Sequence, residues 1–195
     1  MTKILVVIKE VWFFIWGILL FHVMYDRKYL KSKYFKSKNY GIGAVGWRWV
    51  INDFMARVFL GVNREVPFPI SPYISVSNPK NIEFHVDDLN NFQGHGNYYQ
   101  AIGESKIFIG KGSWIAPNVG IITTNHDINN LSSHIEGQSI KIGERCWIGM
   151  NSVLLPGVVL GANTIVGAGS IVTKSFPNGH CIIAGNPAKK IRDIK

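Results

Sequence analysis

The C-terminal half of the chain is predicted to be an all-β solenoid, on three observations. An aliphatic residue recurs every sixth position, at Ile142, Ile148, Leu154, Leu160, Val166 and Val172. Glycine follows four of these, at Gly143, Gly149, Gly161 and Gly167, and the residue four positions after each aliphatic one is usually small. A period of six fits neither of the helical periods of about 3.6 and 3.5, so these residues indicate a repeat of short strands rather than a helix.

A six-residue period suits a chain that winds around a triangular prism. Each repeat contributes one strand and one corner, so three repeats, or eighteen residues, complete one coil. The aliphatic residue points into the prism, where it stacks on its equivalents in the coils above and below. We expect the glycines to supply corner conformations that a Cβ would penalise.

The same period occurs earlier in the chain and then breaks. Ile109, Ile115 and Ile121 keep it, and Val76, Ile82 and Asp88 keep it loosely. Between Ile121 and Ile142 the sequence is polar and contains two histidines, which predicts a loop over residues 122–141. Irregular loops on rigid scaffolds commonly carry chemistry.

The N-terminus is apolar and then basic. Val11 to Met24 has no formally charged residue if His22 is neutral. As a helix these fourteen residues would cover about 21 Å, short of the ~30 Å hydrocarbon core, and extension back to Ile4 adds Lys9 and Glu10. We predict that residues 1–38 form a hydrophobic and basic helical segment that lies in, or dips into, an anionic leaflet. A spanning helix, or a helix buried against the solenoid or a partner subunit, is the alternative.

The positive charge is concentrated in this N-terminal region. The chain has a net charge of +9, of which residues 1–48, with nine basic and two acidic side chains, carry +7. The other residues have twelve basic and ten acidic side chains, so no nucleic-acid partner is indicated. Two cysteines, Cys146 and Cys181, give no disulfide framework and indicate a reducing compartment. The predicted location is therefore the cytoplasmic side of the membrane, in a peripheral or monotopic arrangement.

Residues 39–72 are predicted to connect the two parts. Val50 to Leu60 has the pattern of a short amphipathic helix, and Pro67, Pro69 and Pro72 lead into the first coil. The β-helix domain then covers residues 73–195. Its C-terminal tail, residues 187–195, is expected to form a short helix.

His126 is the candidate catalytic base because it lies in the sequence Thr-Thr-Asn-His-Asp, where the repeat breaks. An imidazole is suited to take a proton from a hydroxyl near neutral pH, although an isolated surface histidine is usually only solvated. Asp127, next to it, either orients the imidazole or shapes the loop. His134 is either a second polar contact or a bystander.

Residues 89–100 are rich in amides and aromatic rings, which is typical of sugar-contacting surfaces. The candidate residues for contact with a sugar substrate are Asn91, Tyr98, Asn125 and His134. No cluster of metal ligands stands out, so no metal is expected.

The segment from Ile109 to Arg192 resembles the hexapeptide-repeat acyltransferases, in particular the galactoside, maltose and polysaccharide O-acetyltransferases. The matching pieces are Ile115-Ala-Pro-Asn-Val119, Asn125-His-Asp127, Ile142-Gly143, Cys146-Trp-Ile-Gly149, Leu155-Pro-Gly157, Val166-Gly-Ala-Gly169, Val172-Thr-Lys174, Ala184-Gly-Asn-Pro-Ala188 and Ile191-Arg192.

The resemblance implies a left-handed parallel β-helix, a homotrimer, and acetyl-CoA bound in a groove between neighbouring prisms. It implies that His126 is the general base of direct acetyl transfer. The implied coenzyme contacts are Trp147 and Met150 at the pantetheine arm, Ala168, Thr173 and Lys174 farther along, and Gly185, Asn186, Lys189 and Arg192 at the nucleotide end.

The expected function is therefore an acetyl-CoA-dependent O-acetyltransferase that acts on a sugar hydroxyl of a surface polysaccharide or its lipid-linked precursor. Three alternatives share the solenoid: a serine-type acetyltransferase, a zinc-dependent carbonic anhydrase, and a non-catalytic scaffold at the membrane. The carbonic anhydrase needs three histidine ligands, and His126 and His134 have no third at a convincing spacing.

Overall fold

The computed structural model describes residues 3–194 and divides the chain into two compact units. These are Met1–Pro72, called here the N-terminal unit, and Tyr73–Lys195, called the repeat unit. The N-terminal unit contains two α-helices, α1 (Lys3–Met24) and α2 (Val45–Phe59). Two short 3₁₀ helices, Arg27–Lys31 and Lys33–Phe35, lie between them.

Aromatic side chains pack α1 against α2. Phe21 is fully buried and contacts both Phe35 and Trp47 through ring edges, and Phe14 contacts the same Trp47. Gly17 permits this approach, since a Cβ there would lie 3.0 Å from the Trp47 side chain. Residues 1–38 and 39–72 therefore form one packed unit, and the predicted connector contains the helix on which the apolar segment packs.

A buried ion pair fixes α2 to the chain before and after it. The Asp53 carboxylate accepts hydrogen bonds from the Tyr25 hydroxyl at 2.7 Å and from the Arg57 guanidinium at 2.9 Å. Arg57 also donates to the carbonyl of Val66 at 2.9 Å. Burial raises the pKa of Tyr25, so its hydroxyl remains a donor. Removal of one partner from such a pair typically costs about 3–5 kcal/mol, so this network holds the unit together.

Helix α1 is longer than the charge-free segment alone predicted. It covers 22 residues, and its most apolar window of 18 residues has a mean hydropathy of 2.3 and is only 11% buried. Its length and composition would allow it to cross a membrane. The core helix of a soluble protein or a signal sequence can have the same length and composition. Helix α2 begins at Val45, five residues before the predicted Val50.

The repeat unit is built from short strands, most of them two or three residues long. Within the described residues these are β1 Ser75–Val76, β2 Ile82–Phe84, β3 Tyr98–Gln100, β4 Ile107–Ile109, β5 Trp114–Ile115, β6 Gly120–Ile122, β7 His126–Asp127, β8 Asn130–His134, β9 Ile140–Ile142, β10 Trp147–Ile148, β11 Val153–Leu154, β12 Val159–Leu160, β13 Ile165–Val166, β14 Ile171–Val172, β15 Cys181–Gly185 and β16 Ala188–Asp193. Two more 3₁₀ helices cover Pro79–Asn81 and Val86–Phe92.

Three sheets arise because the chain returns to the same sheet after each coil. Sheet 1 has the order β1-β3-β6-β11-β14, sheet 2 the order β16-β15-β13-β10-β5, and sheet 3 the order β12-β9-β4-β2. All neighbours are parallel except β15 and β16. Ile148 pairs with Val166 and Leu154 with Val172, which are eighteen residues apart. The six predicted inward residues from Ile142 to Val172 are each at most 2% exposed.

The glycines that follow the aliphatic positions have a different role from the one predicted. They are not at positive φ; instead they lie against the next coil, against its backbone at Gly143, Gly149 and Gly161 and against the Ala184 side chain at Gly167. A Cβ on Gly149 would lie 2.6 Å from the Ala168 nitrogen, and one on Gly161 would lie 2.2 Å from the Pro177 carbonyl oxygen. Positive φ occurs instead at other corner residues, such as Asn151 and Gly169. Coil spacing, rather than corner conformation, therefore requires glycine after the aliphatic residue.

The predicted C-terminal helix is wrong, because residues Ala188–Asp193 form strand β16, antiparallel to β15. Gly185, with a φ of +109°, lies where the chain turns back between these strands. Strand β15 is the last parallel strand of sheet 2 in the chain, so its free edge offers unpaired backbone donors and acceptors. Pairing with β16 satisfies them, and this tertiary opportunity overrides any local helical preference.

Candidate active site

The interruption of the repeat is a small antiparallel hairpin, not an irregular loop. Strands β7 and β8 form it between β6 and β9. Its base is fixed by the buried Thr124, whose hydroxyl donates to the carbonyl of Ile135 at 2.7 Å, and by the Ile135 amide, which donates to the carbonyl of Asn125 at 3.0 Å. The hairpin therefore presents its side chains from a rigid base.

His126 lies on β7 with its imidazole exposed and oriented. Its Nδ1 atom is 2.8 Å from the carbonyl oxygen of Leu131. Because a carbonyl oxygen can only accept, Nδ1 carries the hydrogen and Nε2 keeps its lone pair. In the neutral imidazole this arrangement leaves Nε2 as the proton acceptor.

His134 lies opposite His126 across the two strands. The two rings are in contact and tilted against each other, with centroids 4.2 Å apart and planes inclined by 34°. The structure thus brings together the two histidines that the sequence placed in one loop. His134 supports one face of the His126 imidazole.

Asp127 is engaged in the turn of the hairpin. Its Oδ1 atom accepts a hydrogen bond from the amide of Asn129 at 2.8 Å, which is the pattern of an Asx turn. The backbone carbonyl of Leu131, and not the Asp127 carboxylate, is therefore the partner of His126 Nδ1. Of the two roles considered for Asp127, this geometry favours the shaping of the loop.

The candidate acceptor contacts separate into surface and core. Asn125 and His134 are exposed on the hairpin, and Tyr98 is 41% exposed on β3. Asn91 is 2% exposed; its amide donates to the Ser113 carbonyl at 2.9 Å and accepts from the Ile115 amide at 2.9 Å. The assignment of Asn91 to the acceptor is therefore not supported, because its polar atoms join two coils inside the core.

An open groove of about 380 Å³ lies beside His134. Its lining includes Glu104 and Glu136, together with Ser105 and Ser139. Such a mixture of carboxylates and hydroxyls can accept and donate hydrogen bonds to a polyhydroxylated ligand.

Five of the candidate coenzyme residues lie on or beside one corner of the prism. Trp147 is 55% exposed on β10, and Met150 follows it at the corner between sheets 2 and 1. The amide of Gly169, next to Ala168, donates to the Met150 carbonyl at 2.8 Å, so the two corners stack in successive coils. Gly185 continues the stack, since its amide donates to the Ser170 hydroxyl at 3.2 Å, and Asn186 follows it.

Thr173 and Lys174 lie on a different corner. They follow β14 where the chain leaves sheet 1, and both are exposed. The hairpin of His126 leaves the same sheet at the end of β6, which is joined to β14 through β11. The candidate residues therefore border sheet 1 on two corners, one of which carries the histidines.

Trp114 is a surface aromatic residue that the sequence reasoning missed. It is 59% exposed and lies in register with Trp147 on the neighbouring strand of sheet 2. The repeated dipeptide Trp-Ile, at 114–115 and 147–148, was the signal in the sequence. The two rings offer a flat apolar surface on the outside of the sheet.

Cations from β16 join this surface. Arg192 pairs with Ile182, whose row in sheet 2 continues through Ile165 to Trp147. Lys190 is held by Asp193 at 2.5 Å. Lys189 and Arg192 are exposed and have no ion-pair partner in the described part of the chain. Their charges are available to an anion.

Within residues 3–194, no group of three or more His, Cys, Asp or Glu side chains is arranged to hold a metal ion. Cys146 and Cys181 are buried free thiols. Burial raises the pKa of Cys146, so its reactive thiolate is disfavoured.

Comparison with known proteins gives a consistent family. Residues 139–174 match the model described as "Bacterial transferase hexapeptide (six repeats)". The provisionally named colanic acid biosynthesis acetyltransferase WcaF of Escherichia coli (strain K12) is 31% identical over 147 residues, which cover 75% of this chain and 76% of that protein. Galactoside O-acetyltransferase of the same organism is 41% identical over 96 residues, covering 48% of this chain and 47% of that protein.

The aligned part of the chain spans about half the length of galactoside O-acetyltransferase and of several other curated relatives. Among solved structures, a galactoside acetyltransferase in complex with coenzyme A is 25% identical, with a TM-score of 0.54, over 95% of this chain and 82% of that one. The parallel sheets, the six-residue period and the extent of the match to WcaF lead to one conclusion: the chain belongs to the hexapeptide-repeat acetyltransferase family.

Proposed function

We propose that this protein transfers an acetyl group from acetyl-CoA to a sugar hydroxyl of a surface polysaccharide or its lipid-linked precursor. The observation that carries the proposal is the geometry of His126. Its Nδ1 atom donates to the Leu131 carbonyl, which leaves Nε2 exposed as the proton acceptor. A general base of this kind removes the proton from an acceptor hydroxyl as the oxygen attacks an acyl carbonyl.

The residues along the two corners fit acetyl-CoA as co-substrate, which supplies the activated acetyl group when bound. Trp147 and Met150 offer apolar surface to the pantetheine arm, with Trp114 beside them. Ala168 and Gly185 continue this corner, and Asn186 follows. Lys189 and Arg192 supply exposed cations for phosphate oxygens, and Thr173 and Lys174 lie on the histidine corner. These residues therefore fit acetyl-CoA in their chemical character and in their position on the prism.

We also propose that the prism is a left-handed coil and that the working form is a homotrimer. One copy presents the candidate contacts on two corners, and its Trp114, Trp147 and Ile191 are more than half exposed. A groove between neighbouring copies would bring the cofactor-binding corner of one copy to the His126 hairpin of the next. Sedimentation equilibrium checks this, and a monomer that still binds acetyl-CoA tightly would contradict it.

The acceptor is proposed to be polymeric or lipid-linked because the N-terminal unit favours the cytoplasmic surface of a membrane. Relatives support the sugar: one is named for galactoside and one for colanic acid biosynthesis. The proposed acceptor surface is the groove beside His134. Asn125 and Tyr98, which are also exposed, are proposed as further contacts to the acceptor. Membrane attachment would keep the enzyme close to lipid-linked sugars.

The test compares His126→Asn with Asp127→Asn in a transfer assay with acetyl-CoA and the glycan acceptor. His126→Asn keeps a polar side chain but no base, so the rate should fall by ~10²–10⁴ with coenzyme binding unchanged. Asp127→Asn can still accept from the Asn129 amide, and should retain most of the rate.

Near-normal transfer by both His126→Asn and His126→Ala would show that His126 is not the base. A loss with Asp127→Asn as large as with His126→Asn would instead give the carboxylate a direct role.

A further inference from the structure

We infer that α1 lies in the plane of one membrane leaflet and does not cross the bilayer. The inference rests on the membrane attachment proposed above and states its geometry. By length alone both arrangements are open, because α1 extends about 33 Å at 1.5 Å per residue. What separates them is the packing of the rest of the N-terminal unit.

One stripe of α1 is apolar and exposed from end to end. Ile8, Trp12, Ile15, Leu19 and Val23 follow each other at intervals of three or four residues, so they lie on one face of the helix. Each is between 49% and 79% exposed. The face that contains Phe14, Gly17 and Phe21 is the one that packs on Trp47 of α2.

Irregular backbone packs beside the middle of α1. A Cβ on Gly41 would lie 3.3 Å from the Phe14 ring, and one on Gly43 would lie 4.0 Å from the Glu10 carboxylate. Tyr40, in the same segment, is 97% exposed. If α1 crossed the bilayer, this exposed non-helical segment would be placed within the hydrocarbon, where its backbone groups would have no water to bind.

The charged groups on α1 and α2 also argue against a helix that crosses the bilayer. Glu10 forms an ion pair with Arg48 of α2, and the Arg48 side chain is 46% exposed. A crossing helix would place this pair a few residues from the bilayer centre, with the guanidinium facing lipid. With α1 in the plane, the apolar stripe faces the acyl chains while Arg48 and Asn52, both exposed, remain on the water side.

The occupant of the stripe is an anionic leaflet, on grounds of charge. Six bases follow α1 within twelve residues, and all are exposed: Arg27, Lys28, Lys31, Lys33, Lys36 and Lys38. No acidic residue lies among them. A basic segment next to an exposed apolar face matches the two components of an interfacial site, acyl chains and acidic headgroups.

The experiment measures the depth of single nitroxide labels in the full-length protein bound to vesicles that contain anionic phospholipid. Labels are placed at Ile8→Cys, Ile15→Cys and Val23→Cys on the stripe and at Asn52→Cys on α2. The native thiols are buried, and wild-type protein under the same reagent gives the background. Collision with oxygen and with a water-soluble nickel chelate reports the depth.

An in-plane helix should give the same depth at Ile8, Ile15 and Val23 and an aqueous environment at Asn52. A crossing helix would place Ile8 and Val23 about 22 Å apart along the membrane normal, with Ile15 deepest and Asn52 shielded from the chelate, which would overturn the inference.

The failure of the membrane proposal itself has a different signature. If the wild-type chain does not sediment with anionic vesicles, both the attachment and its geometry are wrong. Spin–spin broadening among stripe labels without vesicles would show that a second copy covers the stripe, which also overturns the inference.

Discussion

At the scale of single residues, the proposed proton abstraction depends on a backbone carbonyl that no sequence motif identifies. His126 is identified by its place in the sequence, but the tautomer that the proposed base requires is set by the carbonyl of Leu131, five residues later. The same hairpin engages Asp127 in its turn and places His134 against the imidazole. The sequence therefore identifies the candidate residues, whereas the geometry of the hairpin distinguishes the roles proposed for them.

The basic residues of β16 give a prediction with an internal control. Lys189→Ala and Arg192→Ala should each weaken acetyl-CoA binding by roughly 10–100-fold, since a hydrogen bond to a charged group contributes about 1.5–3 kcal/mol. Lys190→Ala, on the same strand, removes a lysine that Asp193 already engages and should have little effect. Calorimetric titration measures all three.

The phosphate contact itself is tested with dephospho-coenzyme A. If Lys189 and Arg192 meet the ribose phosphate, the variants should lose less affinity for the dephospho form than for acetyl-CoA. Equal losses for both ligands would assign the two residues to a general structural role.

At the scale of elements, the separation between coils is the main constraint on the sequence. Four glycines follow the inward aliphatic residues because the neighbouring coil leaves no room for a side chain. The corners, by contrast, need a left-handed backbone and accept asparagine as well as glycine, as Asn151 and Asn163 show. Glycine is therefore favoured for two different reasons at different positions of one repeat: the close approach of the next coil and the left-handed backbone of the corner.

Two substitutions at adjacent corners test this distinction. Gly149→Ala should destabilise the repeat unit by about 1–3 kcal/mol, because a Cβ 2.6 Å from the Ala168 nitrogen forces the coils apart. Gly169→Asn should be tolerated, since its φ of +70° suits asparagine and no atom lies within 4 Å of the added Cβ. Thermal unfolding followed by circular dichroism measures both, and equal stability of the two variants would contradict the argument.

At the scale of the whole molecule, the positive charge is divided unevenly between the two units. The repeat unit is nearly balanced, with three of its cations on β16 at the end of sheet 2, while seven of the nine basic residues among the first 48 positions follow α1. An electrostatic attraction to a membrane should therefore depend on where a charge is removed and not only on how much is removed.

Charge reversal tests this division in the full-length chain. Lys31, Lys36 and Lys38, changed together to Glu, should weaken binding to anionic vesicles by about 100-fold or more, since each base near the surface contributes about 1 kcal/mol. Lys80, Lys111 and Lys141 changed to Glu alter the net charge equally but lie in the repeat unit, and should leave binding largely unchanged. Vesicle sedimentation at two salt concentrations provides the measurement. A similar loss in both variants would mean that only net charge matters.

The sequence by itself determined the six-residue period, the inward aliphatic positions, the place where the repeat is interrupted and the histidine located there. These follow from spacing along the chain, and the burial of residues from Ile142 to Val172 reflects that spacing directly. The sequence did not determine features that depend on what lies beside a residue in space.

Only the tertiary structure decided three further features. Ala188–Asp193 is a strand because the edge of β15 offers it hydrogen bonds, and Asn91 is buried because two coils need its amide. The apolar N-terminal segment is a helix of 22 residues with one face on α2 and one face exposed. In each case the partner is distant in sequence, and local composition contains no record of a contact that forms only when the coils and helices come together.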